Sequence, residues 1–385
     1  MGVMGGSFTR SLKGLELDPD QADVFGDVQE WFRRGRDQLY YLGGVAGSGK
    51  STIAHLLAKQ TARSVCYGAF TGKAALVMRR AGCQGAATLH SLIYTPKWRR
   101  DGTIVFYINA FNSPIIDADL VVADEVSMVD EKLGQDLLSL GRPVLVLGDP
   151  AQLPPPSGAG FLTGREPDRM LTKIHRQVAG NPIIELSRRI REGYDLEPCD
   201  LQGAGGRDRV IANGVLSVED VRAFDAVIVG RNATRRSFNK RIRTSLGRQG
   251  PVPIVGDRIM CLRNDHASGF LNGEIFRVTG TPIARRRNCV RLEVESEDAA
   301  AGGKRASAME VRVEFFVGGA DALDAKTLGK THHADYSYAI TGHKAQGSQW
   351  AKVVVYDESA AFREDAWRWL YTAITRGQVD LTVVR

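Results

Sequence analysis

An apolar run, "LVVADEVSM" (120–128), contains two adjacent carboxylates, Asp124 and Glu125. Upstream, "LGGVAGSGKST" (42–52) holds the spacing Gly44-x-x-x-x-Gly49-Lys50-Ser51. Glycines so placed let backbone N–H groups approach a chain of phosphates. The lysine neutralises the outer phosphates, and the hydroxyl completes the coordination of Mg²⁺. The candidate nucleotide contacts are therefore Gly44, Ala46, Gly47, Ser48, Gly49, Lys50, Ser51 and Thr52. Asp124 is the second candidate metal ligand beside Ser51, and Glu125 the group that activates an attacking water. The chemistry this predicts is hydrolysis of a nucleoside triphosphate, beyond passive binding.

Both sets of residues need a parallel sheet to hold them, since ligands of such sheets collect at the C-terminal ends of the strands. The sequence supplies one. "QLYYLGG", "SVCYGAFTG", "ADLVVADEVSM" and "RPVLVLGD" read as buried strands, with "KSTIAHLLAKQTA" and "GKAALVMRRAG" as helices between them. Apolar strands without polar alternation, separated by helices, predict a sheet covered on both faces. A second α/β series follows: "NPIIELSRRIREG", "FDAVIVGRN", "ATRRSFNKRIRTSLG", and at the end "AKVVVYDES", "AWRWLYTAITRG" and "LTVVR". Two stretches depart from the pattern. Residues 94–112 read as a β-hairpin turning near Asp101-Gly102. Residues 257–330 carry short β-like runs and a polar loop, "SEDAAAGGKRAS".

At 385 residues, two or three domains are expected. The formal charge of +7 leans toward a polyanionic partner. Cys66, Cys83, Cys199, Cys261 and Cys289 lack metal or disulfide spacing and read as small buried hydrophobes. His332-His333 has no companion ligands and reads as a solvated pair. No apolar run approaches the ~20 residues of a membrane span. The N-terminal "MGVMGGSFTR" has no signal-peptide core, so a soluble, cytoplasmic protein is expected, with no membrane partner.

Further motifs carry a resemblance. "GDPAQLPP" (148–155), "HRQ" (175–177), "AITGHKAQGSQW" (339–350) and "LYTAITRG" (370–377) follow the phosphate motifs in order. Together with "ELDPDQ" (16–21), "AFTGKAA" (69–75) and "TLHSLI" (88–93), they resemble superfamily 1B DNA helicases of the RecD-like and Dda-like group. The resemblance implies two RecA-like parallel-sheet domains, a small hairpin in the first, and an SH3-like β-barrel inserted in the second. The implied boundaries are 1–165 with the hairpin at 94–112, then 166–256 with 331–385, and the insertion at 257–330. It also implies ATP and Mg²⁺ as cofactors and movement 5′→3′ on single-stranded DNA, opening single-strand/duplex junctions.

By the same resemblance, Gln21 reads adenine and Gln152 senses the terminal phosphate. Arg176 and Arg376 are arginine fingers, which contribute roughly 10³–10⁵ in rate. Gln346 and Gly347 link the strand to the nucleotide. Thr71, Lys73, Thr88, His90, Thr341 and His343 suit contacts to phosphates and sugars, which hold a strand without reading its sequence. For Thr88 and His90 the rival reading is local capping or packing. Trp98, Phe106, Tyr107 and Phe111 of the hairpin either stack on the base pair being opened or fill a small core of their own. Arg285, Arg286 and Arg287 read as a hairpin tip, solvated or gripping DNA. A monomer is expected, with replication or recombination proteins as partners. The alternatives are an RNA helicase of the same superfamily and a nucleotide-switched DNA-binding subunit of a larger complex.

Overall fold

A computed structural model describes residues 11–385, apart from 13–14, 100–103, 157, 159, 175–180, 198, 202–207, 266–267 and 298–305. Its first sheet runs in the order Arg169–Leu171, Leu39–Gly44, Val144–Gly148, Leu120–Asp124, Val65–Ala69, Ala87–Thr88, and every pairing is parallel. The strands Leu120–Asp124 and Val144–Gly148 are buried at every position, as unalternating apolar runs require. Helices Pro19–Arg34, Lys50–Thr61 and Gly72–Arg80 close one face over Leu42, Leu57, Val122 and Leu147. Tyr41, Leu89, Val121, Val146 and Leu137 fill the other.

The second sheet is ordered Cys199–Leu201, Asp208–Ile211, Gly377–Val384, Trp350–Tyr356, Ala226–Val229, Ala339–Thr341. All its pairings are parallel except that of Cys199–Leu201. The helices Pro182–Arg191 and Ala366–Ile374 pack one face, and their core also takes in Ala151 and Leu153 from the first unit. The two units therefore share apolar packing at their junction. The helix Asn232–Ser245 covers the opposite face, where Phe238 and Ile242 meet the core of a third, wholly antiparallel sheet.

That third sheet comprises Ile283–Arg285, Cys289–Ser296, Ile275–Val278, Arg258–Cys261 and Ala334–Tyr336, with Ala306–Arg312 paired to Cys289–Ser296. Two boundaries differ from the sequence reading. Arg169–Leu171 belongs to the first sheet, and Ala334–Tyr336 to the third. Both are three-residue strands whose identity comes from distant partners rather than from local pattern. The hairpin appears as Tyr94–Trp98 paired with Ile104–Ile108; its turn at Asp101-Gly102 lies outside the described residues. Asn272-Gly273 makes a tight turn, with Gly273 at φ +87°. Arg285, Arg286 and Arg287 are exposed at a hairpin end.

His332 and His333 correct the sequence reading. Both are half-buried: His332 Nδ1 accepts from the Glu310 N–H at 2.9 Å, and His333 Nε2 lies 2.8 Å from the Leu328 carbonyl. Burial depresses the pKa of each. Among the described residues no group of three or more His, Cys, Asp or Glu side chains is arranged to hold a metal, and no helix is long and apolar enough to cross a membrane. Cys66, Cys83 and Cys261 are buried free thiols, as expected, while Cys289 is partly exposed.

Candidate active site

The phosphate loop leaves the strand Leu39–Gly44 and enters the helix Lys50–Thr61 through Gly49, at φ +81°. Gly44 is required by close approach, since a Cβ there would stand 2.7 Å from Ser48 Oγ and 2.8 Å from Lys50 Cδ. Lys50 Nζ lies across the loop, donating to the Gly44 carbonyl at 2.5 Å and the Val45 carbonyl at 3.0 Å. Ser48 Oγ is buried with no hydrogen-bond partner among the described residues, as a group directed at a ligand would be. Ser51 Oγ donates to Asp124 Oδ2 at 2.6 Å, so a hydroxyl and a carboxylate stand side by side. This donor set fits Mg²⁺, which takes few protein ligands and keeps phosphates and waters for the rest.

Glu125 occupies a left-handed backbone conformation, φ 53° and ψ 45°, just past its strand. Such a conformation costs a residue with a side chain on the order of 1 kcal/mol or more and is characteristic of functional sites. Burial raises the Glu125 pKa, and the neighbouring Asp124 charge raises it further; Arg376 and Lys50 pull it back. Arg376, from the second unit, therefore lies within electrostatic reach of the first unit's carboxylate. Its guanidinium is held by the Thr372 carbonyl at 2.9 Å and Thr375 Oγ1 at 3.0 Å, and it is only 2% exposed. Arg176, the other expected finger, lies outside the described residues.

Gln21 sits beside this loop. Asp18 and Gln21 form a reciprocal capping box that starts the helix Pro19–Arg34. That bond takes Gln21 Oε1, while Nε2 stands 3.8 Å from where a Gly49 Cβ would be. Gln152 is buried, its Oε1 without a partner among the described residues.

The contacts across the cleft were not foreseen. Leu153, of the "GDPAQLPP" loop, donates its N–H to Thr372 Oγ1 at 2.8 Å and accepts from Gln346 Nε2 at 2.9 Å. Both partners belong to the second unit. His343 is half-buried, which lowers its pKa, and rests 5.8 Å from the Phe362 ring. The Ala46 N–H, expected to face phosphate, instead donates to the Tyr371 hydroxyl at 3.2 Å. Tyr371 in turn donates to Asp149 Oδ2 at 2.6 Å. The available signal was polar Tyr371 and Thr372 within the apolar run of the helix's last two turns, a pattern that calls for buried partners.

The expected strand contacts divide. His90 stands beside Phe70 and Tyr94, and the loss of solvent around its ring lowers its pKa. Lys73 lies 5.2 Å over the Trp350 ring. Thr71 and Thr88 instead cap helices, their hydroxyls accepting from Ala74 N–H at 3.1 Å and Ser91 N–H at 3.3 Å. Thr88 is 2% exposed, which favours the local reading of its side chain. Thr341 is buried at the end of its strand. Gly347, at φ +72°, touches Thr71 across the cleft: a Cβ there would be 3.0 Å from Thr71 Oγ1. In the hairpin, Phe106 and Tyr107 are 57% and 48% exposed, so neither fills a core.

Known proteins bear on this arrangement. The family model for an AAA domain matches residues 16–212, and that for a UvrD-like helicase C-terminal domain matches residues 336–384. An ATP-dependent RecD2 DNA helicase from Deinococcus radiodurans is 27% identical over 389 residues, covering 96% of this chain and 49% of that protein. The RecBCD enzyme subunit RecD of Mycolicibacterium smegmatis is 26% identical over 439 residues, covering 95% of this chain and 72% of that protein. The chain thus spans about half the length of the first relative. Among solved structures, Bacteroides Pif1 bound to ssDNA aligns with a TM-score of 0.58 at 19% identity, over 96% of this chain and 92% of that one. Pif1 helicase from Candida albicans aligns with a TM-score of 0.57 at 17% identity, over 96% and 94%. At those identities the likeness is one of fold. The AAA-domain match takes in more than half of the chain, which therefore belongs to that family.

Proposed function

We propose that the chain hydrolyses ATP between its two parallel-sheet units and uses the resulting motion to travel 5′→3′ on single-stranded DNA, opening duplex at junctions. The observation that carries this reading is the electrostatic reach of Arg376, in the second unit, to Glu125 of the first, which Lys50 reaches from its own side. A cleavage site completed from both sides ties the chemistry to lobe closure and opening. Lys50 neutralises the outer phosphates, Glu125 orients and deprotonates the attacking water, and Gln152 senses the terminal phosphate. Arg376 and Arg176 offset charge on the transferring group. Ser51 and Asp124 hold Mg²⁺, which when bound offsets phosphate charge. Gln21 offers its free amide donor to the adenine.

The proposed organisation is a first RecA-like unit carrying the hairpin, a second one, and an SH3-like insertion that takes in Ala334–Tyr336. The strand would lie against Lys73 and His90, at the helix ends capped by Thr71 and Thr88, and against Thr341 and His343 as the cleft opens. Phe106 would meet the first base pair. A monomer suffices for this scheme.

Lys50→Ala tests the reading: DNA-stimulated ATP hydrolysis should vanish while single-strand binding persists. Wild-type hydrolysis by this variant would refute it, and stimulation by RNA alone would reassign the substrate. The name of the Mycolicibacterium relative supports a second reading, a motor subunit of a larger complex. Strand separation by the isolated chain would dismiss it.

A further inference from the structure

The helix Ala366–Ile374 is mostly apolar where it is buried, yet it sends one phenol across the cleft. Tyr371 is 1% exposed, and its oxygen makes two bonds to the first unit: it accepts from the Ala46 N–H at 3.2 Å and donates to Asp149 Oδ2 at 2.6 Å. Asp149 is itself buried, its other oxygen accepting from the Ala151 N–H at 3.0 Å. One hydroxyl thus joins the phosphate loop to the "GDPAQLPP" loop while belonging to neither.

The same residue is linked to Arg376. The Tyr371 carbonyl accepts from Thr375 Oγ1 at 2.9 Å, and Thr375 Oγ1 accepts from Arg376 Nη2 at 3.0 Å. The next carbonyl along, that of Thr372, accepts from Arg376 Nε at 2.9 Å. The guanidinium is therefore fixed to the turn of helix that Tyr371 anchors. Freeing the phenol from Ala46 and Asp149 lets that turn, and the guanidinium with it, move relative to Lys50 and Glu125. Misplacement of about 1 Å can cost on the order of 10²-fold in rate.

We propose that Tyr371 is a positioning residue for hydrolysis, its hydroxyl setting the place of Arg376 against the phosphate loop. This rests on reading the cleft as the hydrolysis site. It also implies that the Ala46 N–H serves the lobe contact rather than the nucleotide.

Tyr371→Phe removes the hydroxyl and keeps the ring. The full chain should lose at least tenfold in DNA-stimulated kcat, while its Kd for a fluorescent ATP analogue stays within twofold of wild type. In an Arg376→Ala background the same substitution should change kcat less than twofold, because the group it positions is gone. Unchanged kcat in Tyr371→Phe, or losses that multiply in the double variant, would overturn the proposal. If Tyr371→Phe lacks a cooperative melting transition, Asp149→Asn and Asp149→Ala replace it. The first keeps a polar group within hydrogen-bonding reach of the phenol and should retain more of the rate, whereas the second should reproduce the loss; equal rates in the two overturn the assignment. Lys50→Ala runs in parallel: hydrolysis surviving there condemns the site itself, whereas hydrolysis lost there but intact in Tyr371→Phe condemns only the positioning role.

Discussion

Thr372→Val should slow the enzyme while leaving it folded. Thr372 Oγ1 accepts the Leu153 N–H at 2.8 Å, and both residues are almost wholly buried, at 0% and 1% exposure. Valine keeps the shape of threonine and removes the acceptor. The Leu153 N–H is then left without a partner when the lobes meet, at a cost of about 1–3 kcal/mol. When the lobes part, water can satisfy that N–H, so the cost falls on closure alone. At ~1.4 kcal/mol per tenfold, the closed population drops roughly five- to hundredfold. Two assays read this: steady-state ATP hydrolysis with saturating single-stranded DNA, and fluorescence transfer between dyes on the two lobes with a non-hydrolysable ATP analogue. Both should fall in Thr372→Val and recover in Thr372→Ser, which keeps the hydroxyl. Wild-type hydrolysis and closure in Thr372→Val would refute the claim that these lobes must meet for chemistry.

Three further outcomes can be measured. In the proposed mechanism Glu125 acts as a carboxylate, and burial raises its pKa, so hydrolysis should decline as pH falls through a value above the ordinary glutamate range. Arg376 favours the charged form; Arg376→Ala should therefore shift this acid limb to higher pH as well as lowering the rate, and a limb that stays put or moves down would contradict the placement. Phe106 is 57% exposed on the hairpin, so Phe106→Ala should reduce duplex opening severalfold yet leave single-strand-stimulated hydrolysis within twofold. Equal losses in both activities would remove the hairpin from strand separation.

The sequence showed the sheets better than the joints between them. The strands bearing Gly44, Asp124 and Gly148 lie in unalternating apolar runs, and glycine spacing marks the phosphate loop, so these elements formed as read. Arg169–Leu171 and Ala334–Tyr336 were placed in the wrong units because three residues carry no periodicity, and only partners far along the chain make them strands. Thr88 and Thr71 illustrate a second limit. A threonine before a helix is a capping residue by local chemistry, and a strand-contacting motif does not free its hydroxyl. The bonds of Tyr371, Thr372 and Gln346 to Ala46, Asp149 and Leu153 span separations no local pattern encodes. What could be read was only that polar groups on an apolar helix must find partners.

The central claim joins one cleft to directed travel along a strand. Its most direct test is separation of duplexes bearing a single-stranded tail on either the 5′ or the 3′ side, with ATP and Mg²⁺, by the wild-type chain and by Lys50→Ala. The account predicts that the wild type opens the 5′-tailed substrate and that Lys50→Ala opens neither. Opening of the 3′-tailed substrate alone, or opening that survives Lys50→Ala, would contradict it.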